Sequence, residues 1–380
     1  MGGSAWTGTT TVTVGIDTHT DVHVAAVLDQ MGRLLATGSF AATTRGYAQL
    51  ATWAESFGEV DKVGREGTGC FGAGLLRFLA DYGLAVIEVD RPDRSERRRN
   101  GKSDPLDAES AARAVQAGRA CGTPKSRDAQ VEMIRVLRVA RRGAMKARVQ
   151  AGAQIDAVIV AAPEQVRGPL RKLTPRQRIR ACAALRPGPL HDPGNATKAA
   201  LRSLARRWQA LQAEIDDLDA QLTPLVTAAV PQLVALSGIG IDTAGQLLVT
   251  AGDNPARLRT QRSFARLCGV APLPASSGRT GGRHRLNRGG DRNANSALWR
   301  IALVRMHCHQ PTKDYVARRT AEGLSKTEIL RCLKRYVGRE TYPYLLAMAA
   351  AGTSRHTPPA TRSHAPPQNC LTEIGTSAQG

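Results

Sequence analysis

The sequence predicts an α/β unit at the N-terminal end and a mainly helical remainder. Three observations carry this. Three β-branched or alternating runs lie close together near the start, a helix-strand-helix-strand-helix series follows them, and helical periodicity dominates beyond about residue 126.

The first three runs, "TVTVGID" (11–17), "VHVAAVLD" (22–29) and "RLLATGSF" (33–40), read as consecutive strands. Their connections are short and turn-like, and the second and third meet around "QMG", so antiparallel hairpins fit. A helix "RGYAQLATWAESF" (45–57), a strand "VDKVGRE" (60–66), a helix "FGAGLLRFLADY" (71–82) and a strand "LAVIEVD" (84–90) come next. A helix from Asp104 to about Ala117 closes the unit. That order predicts a mixed sheet with helices on its faces, as in a ribonuclease H-like domain, over residues 11–125.

Residues 126–225 form a helical segment. It opens with a long basic amphipathic helix at 129–160. In "LRSLARRWQALQAEIDDLDAQL", Leu201, Leu204, Trp208, Leu211, Ile215, Leu218 and Leu222 recur at alternating steps of three and four, which is a coiled-coil seam. Two readings stay open: antiparallel packing within one chain, or a dimerisation arm. A third unit at 226–350 begins near Pro231. It holds a glycine-rich turn in "LVALSGIGIDTAGQLL", the loop "SSGRTGGRHRLNRGGDRN", and helices at 293–306 and 325–350. Residues 1–10 and the Pro-, Thr- and Ser-rich 351–380 are expected to be disordered.

Net charge is +21, from 53 Lys and Arg against 32 Asp and Glu, which points to a polyanionic partner. Nucleic acid leads, because guanidinium forks suit phosphates, and an anionic membrane surface is the weaker alternative. No apolar run approaches the ~20 residues of a membrane-spanning helix. The start lacks a basic-then-apolar leader, so a cytoplasmic protein is expected. The seven cysteines are scattered without a C-x-x-C, and "HCH" at 307–309 has no spaced partner set for zinc, so they read as reduced packing residues.

The chemistry concentrates in acids. Asp104 and Asp107 follow the basic run "RPDRSERRRNGK" (91–102). In isolation they are explained as helix capping, with Asp104 as N-cap and Pro105 at the first helical position. Asp17, closing the first strand, and Glu66, closing the fourth, change the weighing. In the predicted order these strands are neighbours, and the i, i+3 spacing keeps Asp104 and Asp107 on one helix face. Four converging carboxylates without a cation repel one another. Such a set suits Mg²⁺ or Mn²⁺, and two ions about 4 Å apart support phosphodiester cleavage. Arg94, Arg97, Arg98, Arg99 and Lys102 would grip the nucleic-acid backbone; their plainer reading is a solvated charged loop.

At these residues the chain resembles a known family. "GID" at Asp17, "EGTG" at Glu66 and "NGKSDPLDA" at Asp104 and Asp107 are similar to the DEDD transposases of insertion sequence family 110. "LSGIGIDTAGQLL", "GVAPLPASSGRTGGRHRLNRGGDRNANSALW" and "KTEILRCLKRYVGRETY" extend the resemblance in order across residues 12 to 345. The resemblance implies a RuvC-like N-terminal domain and a site-specific recombinase that acts on donor and target DNA. It implies guidance by an element-encoded structured RNA. It also implies a dimer of dimers with a composite site, in a bacterial, nucleoid-associated setting. It makes the serine of Pro-x-x-x-x-Ser-Gly a nucleophile, here Ser277, with Ser276 beside it as the other choice.

A serine in a Gly-rich loop is ordinarily a turn residue. Here Arg279, Arg283, His284, Arg285, Arg288 and Arg292 follow it closely, and cationic donors would stabilise charge on a pentavalent phosphorus. The turn at Gly238 and Gly240 reads equally as a backbone phosphate site or a packing joint. Two other readings compete with the recombinase: a RuvC-like metal nuclease that cuts by hydrolysis, and a non-catalytic nucleic-acid-binding protein.

Overall fold

The computed structural model describes residues 10–66, 70–89, 103–127, 129–275, 284–287 and 289–353. The basic run 91–102, both serines and the two expected disordered ends beyond residues 10 and 353 lie outside them.

The strands are β1 (Thr11–Thr18), β2 (Val22–Leu28), β3 (Leu34–Ala41), β4 (Glu59–Glu66) and β5 (Val86–Val89). They form one mixed sheet in the order β3-β2-β1-β4-β5. β1 pairs antiparallel with β2 and parallel with β4, and β5 continues the parallel side. β1 is central and buried on both faces, with Val12, Val14 and Ile16 on one and the small Thr13 and Gly15 on the other, whereas β3 at the edge is only half covered. This architecture is compatible with the ribonuclease H-like expectation.

One face of the sheet is covered by α1 (Thr44–Glu55), opened by the Thr43 side-chain cap on Gly46 N, and by α2 (Ala73–Asp81). A short 3-10 turn, Cys70–Gly72, precedes α2. Val12, Val14, Ile16, Val27, Leu50, Val63, Leu75 and Leu79 pack between the layers. Among the described residues the opposite face carries α3 (Asp104–Gln116), packed through small residues. A Cβ on Gly15 would lie 2.0 Å from Ala108 O and 2.4 Å from Ala112 N, and one on Gly64 2.7 Å from Ala111 O. Helix and sheet backbones therefore touch with no side chain between them, which fixes the height of α3 over β1 and β4.

His23 on β2 lies on the α1–α2 face, fully buried and stacked on Tyr47 at 5.6 Å. Neither ring nitrogen has a hydrogen-bond partner. Burial, reinforced by the Arg65 charge, holds its pKa below 6.5. The unfolded chain then takes up a proton near pH 6.5 while the folded chain resists it. This group therefore costs stability as pH falls below about 6.5 and costs nothing further above it. His23→Phe keeps the stack and removes two unsatisfied atoms. The expected result is a gain of about 1–3 kcal/mol and a flatter stability profile between about pH 6.5 and 5, read by urea denaturation across pH.

Beyond the sheet, α4 (Gln130–Val160) runs out and α7 (Pro193–Ala229) returns antiparallel to it. Arg141 bonds Asp219, and Gln130 reaches Leu225 O. Of the Leu201–Leu222 seam, Leu201, Ile215 and Leu222 are buried within the chain and Leu204, Trp208, Leu211 and Leu218 are half-buried. Between these helices lie α5 (Glu164–Arg171) and α6 (Pro175–Ala183), neither of which the sequence reading separates from loop.

Next come α8 (Pro231–Val234), α9 (Ile241–Ala251), α10 (Gln261–Leu267), α11 (Arg292–Cys308), α12 (Gln310–Ala321) and α13 (Lys326–Thr353). The last runs three residues into the segment expected to be disordered. These helices share a core with the near ends of α4 and α7, including Ile134, Leu222, Leu247, Phe264, Leu298 and Leu345. Two polar clamps join distant sequence. Ala129 cannot cap α4 with its side chain, so Asp253 does, accepting from Val131 N at 2.7 Å and Glu132 N at 3.2 Å. Buried Arg138 donates to Asp242 Oδ1 and O at 2.8 Å and to Gln246. Cys182 and Cys268 are buried, as packing residues would be, whereas Cys121 and Cys308 are exposed. No helix among the described residues is long and apolar enough to cross a membrane.

Candidate functional site

β1 and β4 end side by side, and their parallel register makes Asp17 and Glu66 direct partners. Side chains alternate along a strand, so both residues share the face of Gly15 and Gly64, the face covered by α3. α3 starts over the carboxyl ends of these strands with Asp104 and Asp107 in its first turn. Its N-terminal dipole favours acids there.

The capping account of Asp104 requires correction. Ser103 holds the N-cap position, without a side-chain cap bond, and Asp104 is the first helical residue. Its carboxylate faces the site: Asp104 Oδ1 lies 3.3 Å from His19 Nε2, and Asp17 Oδ2 lies 3.1 Å from the same nitrogen. Donor atoms of Asp17, His19 and Asp104 fall within 4.8 Å of one another. Asp107 is 4% exposed. Burial pushes the Asp17 carboxyl above the usual carboxylate range; His19 opposes this, and repulsion from Asp107 and Asp104 adds to it. Asp17, His19 and Asp104 together offer two carboxylates and one imidazole, a donor set of the kind that holds a divalent cation.

His19 is the functional candidate that sequence reasoning missed. Its signal was present: in "GIDTH" it stands two residues after Asp17 and directly after Thr18, the last residue of β1.

β6 (Pro272–Pro274) pairs antiparallel with β7 (His284–Leu286) as a two-stranded ribbon. The ribbon's base is tied down. Asn287 N bonds Ala271 O, and Asp291 both caps α11 and accepts from Thr250 Oγ at 2.8 Å. At Gly290 a Cβ would lie 2.1 Å from Gly269 N, so both glycines are needed where the two segments cross. Arg285 stands opposite Leu273 on β7 and is exposed, as is Arg292 at the start of α11. Ser276, Ser277, Arg279, Arg283 and Arg288 lie outside the described residues, as do Arg94, Arg97, Arg98, Arg99 and Lys102.

The glycine turn before α9 is built as a packing joint. Gly238 has φ +74° and sits beneath Arg305, which donates to Ser237 O at 2.7 Å. Asp242 already fills the first turn of α9, and although burial works against its charge, Arg138, Arg300 and Arg141 hold its carboxyl below the usual range.

Comparison with known proteins accords with this arrangement. Residues 14–162 match a family model described as transposase, of the IS110 DEDD type. Residues 231–317 match one described as transposase of the IS116/IS110/IS902 family. An uncharacterized 43.6 kDa protein of insertion element IS110 from Streptomyces coelicolor is 32% identical over 164 residues, 42% of this chain and 39% of the relative. An uncharacterized 42 kDa protein of insertion element IS900 from Mycobacterium paratuberculosis is 29% identical over 134 residues, 35% of this chain and 34% of the relative. The chain thus spans under two fifths of the length of these relatives.

Proposed function

The chain belongs to the IS116/IS110/IS902 family of transposases, and on that premise we propose that it is a site-specific DNA recombinase whose carboxylate pocket and loop serine act together on one phosphodiester. The observation that carries this is the pairing of Asp17 with Glu66 at the ends of adjacent parallel strands, beneath the helix that brings Asp104 and Asp107. The fold on which they stand is read as RuvC-like.

In this proposal Asp17, Glu66, Asp104 and Asp107 hold Mg²⁺ or Mn²⁺, and His19 Nε2 is an added donor. The ion supplies charge stabilisation at the scissile phosphate. The Ser277 hydroxyl attacks phosphorus, one backbone P–O bond breaks, and the departing oxygen takes a proton. A phosphoserine ester holds the strand until a DNA hydroxyl attacks it and releases the serine. Arg279, Arg283, Arg285, Arg288 and Arg292 neutralise the phosphate, and the run Arg94 to Lys102 tracks the backbone. A structured RNA from the same element selects donor and target DNA. Copies of the chain assemble, as a dimer of dimers, so that carboxylates and serine come from different subunits.

Ser277→Ala is the test. With end-labelled element DNA and Mn²⁺, the wild-type chain is expected to give a protein–DNA adduct that survives denaturing gels, and Ser277→Ala to give none, with Ser276→Ala retaining it. Continued cleavage by Ser277→Ala without an adduct would replace this reading with hydrolysis by a metal nuclease.

A further inference from the structure

The far end of the α4–α7 hairpin lies outside the carboxylate site; its α4 residues fall within the first family-matched segment, and α5, α6 and α7 fall between the two. It has its own core, in which Ile155, Ile159, Val166, Leu170, Ile179 and Leu201 pack together. Its surface is unusually basic. Residues 163–210 contain eleven Lys and Arg and two acids, a net +9 of the chain's +21.

Trp208 occupies a seam position of α7, but the residue facing it on α4 is Gly152. A Cβ there would lie 3.7 Å from Trp208 Nε1. With no large side chain opposite, the indole is only half buried and forms a wall of a cleft of about 350 Å³. Arg148 lies against the ring, its guanidinium carbon 5.5 Å from the centroid. Arg176 and Arg178 line the same cleft. A second cleft, about 440 Å³, shares Trp208 and Arg176 and adds Arg180. A third, about 370 Å³, shares Arg178 and adds Arg167 and Arg171. Arg178 is paired with Asp156 at 2.7 Å, whereas Arg176 and Arg180 are exposed and have no acidic partner among the described residues.

We infer that this hairpin tip binds an unpaired stretch of polynucleotide, with a base stacked against Trp208 and neighbouring phosphates held by Arg176, Arg178 and Arg180. A concave site with one aromatic wall accepts a splayed base, which a duplex does not offer, and guanidiniums along adjoining clefts suit the phosphates on either side of it. The same chemistry serves RNA and single-stranded DNA. The inference rests on the reading of the chain as a nucleic-acid enzyme, but it does not use the carboxylate pocket, so the two fail separately.

The test uses the full chain and fluorescence anisotropy with labelled oligomers of about 15 nucleotides: oligo-U RNA, oligo-dT and a duplex. Trp208→Ala is expected to weaken single-strand binding about tenfold to a hundredfold, with Trp208→Phe retaining most of it and duplex binding unchanged. Arg176→Gln and Arg180→Gln, both on exposed side chains, are expected to weaken it and each to lower the salt slope by about one. Tighter RNA than DNA binding identifies RNA as the source of the strand, and the reverse identifies DNA. The inference is overturned if Trp208→Ala and both Arg→Gln variants bind single strands like wild type, or if every variant loses duplex affinity equally. Loss of metal-dependent cleavage in Asp17→Asn, with this binding intact, would be the signature of two separate sites.

Discussion

Gly15→Ala is expected to destabilise the chain by about 3 kcal/mol or more, the upper end of overpacking costs. The new methyl meets backbone, not a side chain that can swing away: Ala108 O at 2.0 Å and Ala112 N at 2.4 Å. α3 must lift from β1, and Asp104 and Asp107 lift with it. The variant is therefore expected to lose divalent-metal affinity even where it remains folded. Gly143→Ala is the control. Gly143 lies inside α4 with nothing within 4 Å of an added Cβ, so the same change there should add up to about 1 kcal/mol through helix propensity. Urea midpoints and Mn²⁺ titrations of both variants check this. Equal stabilities would mean that the close approach of helix and sheet does not constrain the pocket.

Asp17→Asn is expected to separate catalysis from stability. Strand cleavage should fall about a hundredfold to ten-thousandfold, the rate equivalent of several kcal/mol of charge stabilisation. Without metal, the variant should be no less stable than the wild type, and more stable near neutral pH. The sign follows from the raised carboxyl: the folded chain binds this proton more tightly than the unfolded chain, so ionised Asp17 costs stability above that range and relaxes as pH falls toward 3.8. Asn removes the burial cost and the repulsion from Asp107 and Asp104, against the loss of the His19 contact. Cleavage assays with Mn²⁺ and metal-free thermal melts, run on the same preparations, read both effects. A variant that melted well below wild type would make Asp17 a structural residue.

Much of this was legible in the sequence because local signals agreed with tertiary demands. β1, alternating Val and Ile with small residues and with an acid near its end, reads as a strand that opens at a cleft. The alternating β3 reads as an edge. Two acids flanking Pro105 mark a helix start, but whether they cap or face a site depends on His19, far earlier in the chain yet 3.3 Å from Asp104 in the fold. α5 and α6 were hidden by Pro169, Pro175 and a polar composition that looks like loop. The Thr174–Gln177 capping box, with Gln177 accepting from Thr174 N at 3.0 Å, was the available signal for α6. The Asp253 cap on α4 was not legible at all, since it joins residues far apart along the chain. Trp208 read as a seam residue because periodicity cannot show that a glycine stands opposite.

Anomalous diffraction from Mn²⁺-soaked crystals of the full chain tests the central claim most directly, because it asks whether these side chains hold an ion together. The account predicts an anomalous peak within about 2.2 Å of carboxylate oxygens of Asp17 and Asp104, with His19 Nε2 turned to it. An otherwise ordered pocket with no peak, and His19 still bridging the two acids, would contradict it.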